Sequence, residues 1–486
     1  MILNTLLVLH GLIVLSFTIR ILVRDDLTPP ARLAWFIALI LLPLAGSAAY
    51  FLFGEVDLGH RARKRHREIF ALIRTRAARF MGMPDGVAQL IERDYQPAFA
   101  YAASINGFYP VPGNRAALMA DSSDYLDRLI ADIDAATDTV HVMSYIWLED
   151  YTGRAIGRAL MRAARRGVTC RAIADGLGAR LMIKGPLWQE MKEAGVELAI
   201  AFPFSNVLRT LATSRIDLRN HRKISVIDGR ITYCGSQNTA DPEFRIKARF
   251  APWVDIMLRL TGPVVDQNQL LFASDWMQAT GEVLDELQLV AERHDDGFAA
   301  QVIGDGPTER HGATPQLFSG LLGCAREQIV LTTPYFVPDT TVLEALLAAA
   351  LRGVRVVLIF PRRNDSWFVA AASRSYYHRL LDAGCEIFEY CDGLLHAKTL
   401  TIDGCVSLIG SSNLDLRSFD LNYENNILLQ DRAITRQIHA RQQSYLPRSR
   451  PVTLDEVLLW PYLRPIWNNM AATIGPAFGG QDRHGL

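Results

Sequence analysis

The 486-residue sequence predicts an α/β protein made of two pseudo-symmetric halves that share one active site, preceded by a two-helix transmembrane hairpin. Three observations carry that expectation: two uncharged apolar runs near the N-terminus, a helix and strand alternation written twice, and one motif that recurs in each half. At roughly 150 residues per domain the length suits about three domains. Half the residues are apolar and 51 Lys+Arg balance 51 Asp+Glu. A neutral chain argues against attachment to nucleic acid through bulk positive charge.

The neutrality is an average. Residues 1–80 hold eleven basic and five acidic side chains, so the front is net +6 and the rest net −6. Within that front, Met1 to Ile19 contains no charge and only His10, and Leu33 to Phe53 is a second uncharged run. Each is long enough to span the roughly 30 Å hydrocarbon layer as a helix. Arg20, Arg24, Asp25, Asp26, Pro29, Pro30 and Arg32 lie between them as a polar turn. No positive n-region or cleavage site marks the first run as a signal peptide. The expectation is a hairpin over residues 1–60 with spans of about 1–19 and 33–53.

Arg61, Arg63, Lys64, Arg65 and Arg67 follow the second run, against three cations in the hairpin loop. The positive-inside rule then places the large C-terminal part of this multi-pass chain on the cytoplasmic side. Residues 61–109 are expected as a basic juxtamembrane linker whose Arg74, Arg76 and Arg79, among Ile69, Phe70 and Ile73, attract anionic lipid.

The soluble part is expected as halves over 110–290 and 291–450, with a tail over 451–486. The first half reads helix 125–136, strand 139–147, helix 154–166, strand 168–174, helix 188–194 and strand 196–202. The second repeats that order over 314–326, 328–336, 341–352, 354–360, 366–383 and 385–390. Arg166-Gly167-Val168 matches Arg352-Gly353-Val354, a glycine ending a helix each time. The first half carries 14 extra residues within 204–220, where Phe204, Val207, Leu208 and Leu211 alternate with Arg209, Arg215 and Arg219; an amphipathic lid or membrane-touching element is expected there. In the tail, Trp460, Tyr462, Ile466 and Trp467 suit either an interfacial anchor or a packed end. Six cysteines without a C-x-x-C pair are expected as reduced thiols.

The motif runs His221-x-Lys223-x4-Asp228-x6-Gly235-Ser236-x-Asn238 and recurs as His396-x-Lys398-x4-Asp403-x6-Gly410-Ser411-x-Asn413. Asp-Gly between apolar β-branched runs is a strong hairpin signal. With Asp228 and Gly229 as the two turn residues, His221 faces Ser236, and likewise His396 faces Ser411. Residues i and i+2 share a strand face, so each copy delivers a histidine, a lysine and a serine to one patch. Asp228 and Asp403 lie seven residues beyond their histidines, up to about 23 Å along a strand, and are expected to be structural. Paired imidazoles, ammoniums, hydroxyls and amides suit a phosphodiester: one imidazole attacks phosphorus and the other protonates the leaving oxygen. One histidine per half and no carboxylate-rich set give no reason to expect a metal, and no cofactor is called for.

This pattern resembles the phospholipase D superfamily, whose signature is H-x-K-x4-D-x6-G-S-x-N in two copies. Within it the chain resembles the bacterial cardiolipin synthases, through Phe51-Leu52-Phe53-Gly54-Glu55, Ser144-Tyr145-Ile146-Trp147, Thr333-Pro334-Tyr335-Phe336, Asp415-x-Arg417-Ser418-Phe419 and Leu421-Asn422-Tyr423-Glu424. The resemblance implies two phospholipase D-like halves and a phosphatidyltransferase that joins two phosphatidylglycerols, donor and acceptor, reversibly into cardiolipin and glycerol. It implies His221 as nucleophile, His396 as acid and then base, and Lys223, Lys398, Ser236, Asn238, Ser411 and Asn413 as phosphate ligands. It also implies an acid behind each histidine: Asp255, 34 residues after His221, and Glu424, 28 after His396. A phospholipase D or phosphatidylserine synthase uses the same motif, as does a phosphodiesterase nuclease, and a dead lipid-binding scaffold would have no need of both intact copies. The sequence leaves the oligomeric state open.

Overall fold

The computed structural model describes residues 2–24, 27–42, 44–54, 60–203, 218–284 and 287–478. The chain divides into a compact N-terminal unit ending at His60 and a large unit holding Arg61–Ser205 and Asp217–Leu486.

The N-terminal unit contains α1 (Ile2–Val23), α2 (Pro29–Leu41) and α3 (Ala45–Phe53). Tyr50 is buried between Phe17, 5.0 Å away, and Trp35, 5.2 Å away and edge-on. The second apolar run, expected as one span over 33–53, is two helices. Leu42 closes α2, and Leu44 at φ 63 leads into α3; Pro43, between them in the sequence, has no N–H to continue a helix. Gly46 permits a close approach there, since a Cβ would stand 2.1 Å from the Ala38 oxygen. Among the described residues no helix is long and apolar enough to cross a membrane.

The first half of the large unit contributes β1 (Val111–Leu118), β2 (Thr139–Ser144), β3 (Thr169–Asp175), β4 (Glu197–Ala201), β5 (Arg219–Asn220), β6 (Ile224–Ile227), β7 (Ile231–Gly235), β8 (Trp253–Val254) and β9 (Met257–Thr261). The second contributes β10 (Phe298–Asp305), β11 (Gln328–Thr332), β12 (Phe336–Val337), β13 (Arg355–Pro361), β14 (Glu386–Tyr390), β15 (Leu394–Leu395), β16 (Thr399–Ile402), β17 (Val406–Gly410), β18 (Leu414–Asp415), β19 (Asn422–Gln430) and β20 (Ser449–Val452). One sheet runs β20-β14-β13-β11-β16-β17-β19-β10-β1-β9-β7-β6-β2-β3-β4. Its halves mirror each other across the antiparallel β1–β10 seam. In each, three parallel strands with helical crossovers meet an antiparallel hairpin, and the complete burial of β2, β6 and β16 fits sheets covered on both faces.

Residues 61–109 are not a linker. Helix α4 (His60–Ala77) buries Ile69, Phe70, Ile73 and Ala77 in the core of the large unit, and Arg65 donates to the Met277 oxygen at 2.8 Å. Its apolar stripe is thus taken up by protein, leaving its cations outward. The helix Gln96–Asn106 likewise packs its Ala98, Phe99 and Ala102 against Leu317 and Leu321 of the second half. Nor does a tail begin at 451, because β20 pairs with β14 across that position and helices Leu454–Leu458 and Leu463–Phe478 follow. Of the expected lid over 204–220, residues 204–217 lie outside the described residues, and Arg219–Asn220 form β5.

Candidate active site

The two motif hairpins have one residue more in their loops than a two-residue turn requires. Ile227 pairs with Ile231 and Ile402 with Val406. Asp228 and Gly229, at φ 49 and 61, make the expected left-handed turn closed by Arg230 N–H to the Ile227 oxygen, and Arg230 is then left over as a bulge. The register therefore shifts by one, and the histidines stand before the strands rather than in them.

The carboxylates that fill those turns face away from the site chemistry. Asp228 accepts from the backbone N–H groups of Thr137, Asp138 and Thr139 at 2.8–2.9 Å. Asp403 accepts from Arg326, Glu327 and Gln328 in the same way, plus the Tyr95 hydroxyl. Each ties its hairpin to the start of the neighbouring strand.

Both histidines are instead held by the opposite half. Strand β5 pairs in parallel with β19, and the His221 N–H donates to the Tyr423 oxygen at 2.9 Å. Strand β15 pairs in parallel with β8, and the His396 N–H donates to the Val254 oxygen at 2.8 Å. The acids exchange accordingly. His221 Nδ1 is 2.9 and 3.0 Å from the Glu424 carboxylate, and His396 Nδ1 is 2.6 Å from Asp255 Oδ1. Counting along the chain assigns each acid to the histidine of its own half; the fold gives it to the other.

Lys223 and Lys398 each donate to the carbonyl of the histidine two residues earlier, at 2.7 and 2.8 Å. The serines have partners other than a ligand: Ser236 donates to Asp255 at 2.6 Å, and Ser411 donates to Glu424. A hydroxyl has one proton to give, so in this geometry both serines position the acids. Asn238 Oδ1 accepts from the Ile146 N–H at 3.3 Å, while Asn413 Oδ1 is buried without a hydrogen-bond partner among the described residues.

All of these groups are buried, and the charges of the two copies are felt across the site. Burial, with Lys223, Lys398 and His396 beyond it, drives the His221 imidazole well below its ordinary value. Burial and Lys398 bring His396 down to about 4, opposed by Asp255. Burial alone would raise Asp255, but His396 and Lys398 hold it at about 2. Glu424 is raised by burial against the pull of Lys223 and its hydroxyl donors. Burial also lowers both lysines, Lys223 to about 8. Without a bound diester, burial and the neighbouring lysines disfavour the protonated form of both imidazoles; the negative charge of a phosphate works the other way and favours it. Among the described residues no three His, Cys, Asp or Glu side chains are grouped to hold a metal.

Sequence reasoning missed several neighbours. Tyr145 stands edge-on to His221 at 4.9 Å and Trp253 lies 4.6 Å from His396. Ser418 and Asn422 donate to Glu424 Oε1 at 2.8 and 3.2 Å. Arg222, fully buried, joins Asp275 at 2.7 Å to the carbonyls of Glu424 and Asp305. Arg222 was visible as the cation between His221 and Lys223, where the second copy has Ala397.

Comparison with known proteins agrees with this geometry. The family described as "Cardiolipin synthase, PLD-like domain" matches residues 129–254 and 319–445, and "Phospholipase_D-nuclease N-terminal" matches residues 12–55. Cardiolipin synthase A of Serratia proteamaculans is 35% identical over 470 residues, covering 95% of this chain and 94% of that one. Cardiolipin synthase A of Edwardsiella ictaluri is 35% identical over 466 residues, with coverage of 95% and 94%. The crystal structure of phosphatidylserine synthase from Haemophilus influenzae has the same fold, at TM-score 0.56 and 14% identity, covering 75% of this chain and 94% of that one. With both matched segments each carrying one complete motif, and with relatives aligned from end to end, this chain belongs to the phospholipase D-like cardiolipin synthase family.

Proposed function

We propose that the protein is a cardiolipin synthase that transfers a phosphatidyl group from one phosphatidylglycerol to another. The observation that carries this is the convergence of both motifs in one buried site, with each imidazole backed by a carboxylate from the other half. His221, its Nδ1 committed to Glu424, attacks phosphorus through its remaining nitrogen. The bond to the glycerol oxygen breaks, and His396 gives that oxygen a proton. The resulting phosphatidyl-histidine is attacked by the terminal hydroxyl of a second phosphatidylglycerol, whose proton returns to His396, and the P–N bond breaks to release cardiolipin. Two phosphatidylglycerols thus yield cardiolipin and glycerol. Supporting these roles, Asp255, held at about 2, lies 2.6 Å from His396 Nδ1 and opposes the fall in proton affinity that burial and Lys398 impose on it. Lys223 and Lys398 neutralise the diester, the serines hold the acids, and Asp228 and Asp403 are structural.

The N-terminal unit anchors the enzyme in the bacterial cytoplasmic membrane, with the catalytic unit on the cytoplasmic side. Supporting this, Leu12, Leu15, Leu33, Ile40 and Phe51 are exposed on its helices, and α4 turns Lys64, Arg67 and Arg74 outward, suited to anionic headgroups.

The test is acid-quenched reaction with labelled phosphatidylglycerol. Label is expected on the peptide containing His221, persisting in His396→Asn, with cardiolipin and glycerol as wild-type products. Phosphatidic acid as sole product would make the protein a phospholipase D, and label on the His396 peptide would reverse the roles.

A further inference from the structure

The C-terminal helix Leu463–Phe478 is turned the wrong way for a soluble protein. Leu463, Ile466, Trp467 and Met470, spaced as one stripe of a helix, are 75%, 49%, 40% and 42% exposed. The face turned to the protein carries Asn468 and Ala471 instead, 3% and 1% exposed. An amphipathic helix ordinarily buries its large apolar residues and wets its small or polar ones, and this one does the reverse.

The stripe is part of a larger surface. Trp467 stacks on Trp367 of the helix Trp367–Arg374 at 5.4 Å and 13°, and Trp367 is itself exposed. Leu458, Leu459 and Tyr462 extend it, the last two being 83% and 85% exposed. Contiguous exposed apolar surface of this kind marks an interaction site. Its charge is one-sided: from Val457 to Gln481 the sequence has no acidic residue, and its cation, Arg464, lies over the Trp460 ring at 4.0 Å with no ion pair among the described residues.

The surface also lies close to the second motif. Ala471 shares an apolar cluster with Ala371, Ala372 and Val337. Val337 pairs with Asp415, two residues beyond Asn413. Just ahead of the helix Trp367–Arg374, Asp365 receives both the Tyr335 hydroxyl, at 2.7 Å, and Lys247, at 2.8 Å.

We propose that this face, built from Trp367, Leu459, Tyr462, Leu463, Ile466 and Trp467, is a monolayer-docking surface that seats the second half of the catalytic unit on an anionic bilayer. Trp and Tyr among aliphatic side chains, with an arginine that makes no ion pair among the described residues, suit the headgroup boundary. This rests on the reading of the protein as an enzyme whose donor and acceptor are both lipids, since an acceptor must reach the buried site from the leaflet.

The experiment uses the full chain with phosphatidylglycerol vesicles. A spin label on Tyr462→Cys is expected to become oxygen-accessible and shielded from a water-soluble relaxant, while a label on Leu351→Cys, an exposed apolar position 74% accessible elsewhere, stays in water. Unlabelled-site background comes from the wild-type chain. Leu459→Ser, Tyr462→Ser and Ile466→Ser together are expected to raise KM on vesicles at least about tenfold, leaving kcat and KM on monomeric dihexanoyl phosphatidylglycerol unchanged. Water exposure of the Tyr462→Cys label on vesicles, or unaltered vesicle KM, overturns the proposal. So does dissociation of an oligomer by the triple variant with unchanged vesicle turnover, which would assign the face to a second copy. Failure of the wild type to make cardiolipin from either the vesicles or the dihexanoyl lipid would instead sink the activity itself.

Discussion

Glu424 is gripped by four donors, His221, Ser411, Ser418 and Asn422, whereas Asp255 has His396 and Ser236. An acid so placed fixes the tautomer of its histidine and stabilises the imidazolium, as the aspartate of a serine protease does. Glu424→Gln and Asp255→Asn are therefore each expected to lower kcat by about 10²–10⁴ with little change in KM, measured as cardiolipin formed in mixed micelles. Ser236→Ala separates positioning from phosphate binding: a fall in kcat at constant KM follows from its bond to Asp255, and a raised KM would return it to the phosphate. The depressed histidines also make stability depend on pH. Unfolded, His396 titrates near 6.5; folded, near 4. Between those values the unfolded chain holds a proton the folded one lacks, so stability is full above about 6.5 and falls as pH drops toward 4. His396→Gln should flatten the pH dependence of thermal unfolding across that window.

The hairpins show what a linear pattern can and cannot reveal. Asp-Gly named the turn and its left-handed backbone, and two copies of the motif named the site, because both signals are local. The one-residue shift escaped because Arg230 and Cys405 look like ordinary strand residues. The exchange of acids escaped for a stronger reason: β5–β19 and β8–β15 are bridges of two residue pairs each between distant segments, with no periodicity to betray them. The basic character of α4 was legible, but not that Ile69, Phe70 and Ile73 belong to the protein core rather than to lipid, since an apolar stripe does not say what covers it. At this scale Asp403→Ala is expected to cost about 1–3 kcal/mol in chemical unfolding, by leaving the N–H groups of Arg326, Glu327 and Gln328 without their acceptor. Activity per folded molecule should be unchanged, which distinguishes this aspartate from Asp255.

Across the whole molecule, the N-terminal unit and the catalytic unit have separate cores, the first around Tyr50 and the second continuous across the β1–β10 seam. A chain beginning at Arg61 is accordingly expected to keep micellar turnover and lose vesicle turnover by at least about tenfold, the loss of one modest membrane-binding term. Neutral net charge, which at first only argued against nucleic acid, resolves into a cationic front and an acidic remainder whose interior holds Lys223 and Lys398 at one site. The doubled architecture was readable from the repeat, whereas its mirror order could not be, because strand neighbours are set by pairings hundreds of residues apart. The exchange of carboxylates across that mirror has a consequence for divergence. Two identical chains could assemble such a site by each lending its acid to the other, but every change would then appear twice. Joined in one chain, the halves are released from being copies: Arg222 faces no counterpart at Ala397, and a glutamate serves one histidine while an aspartate serves the other. Covalent linkage is what leaves the two imidazoles free to differ.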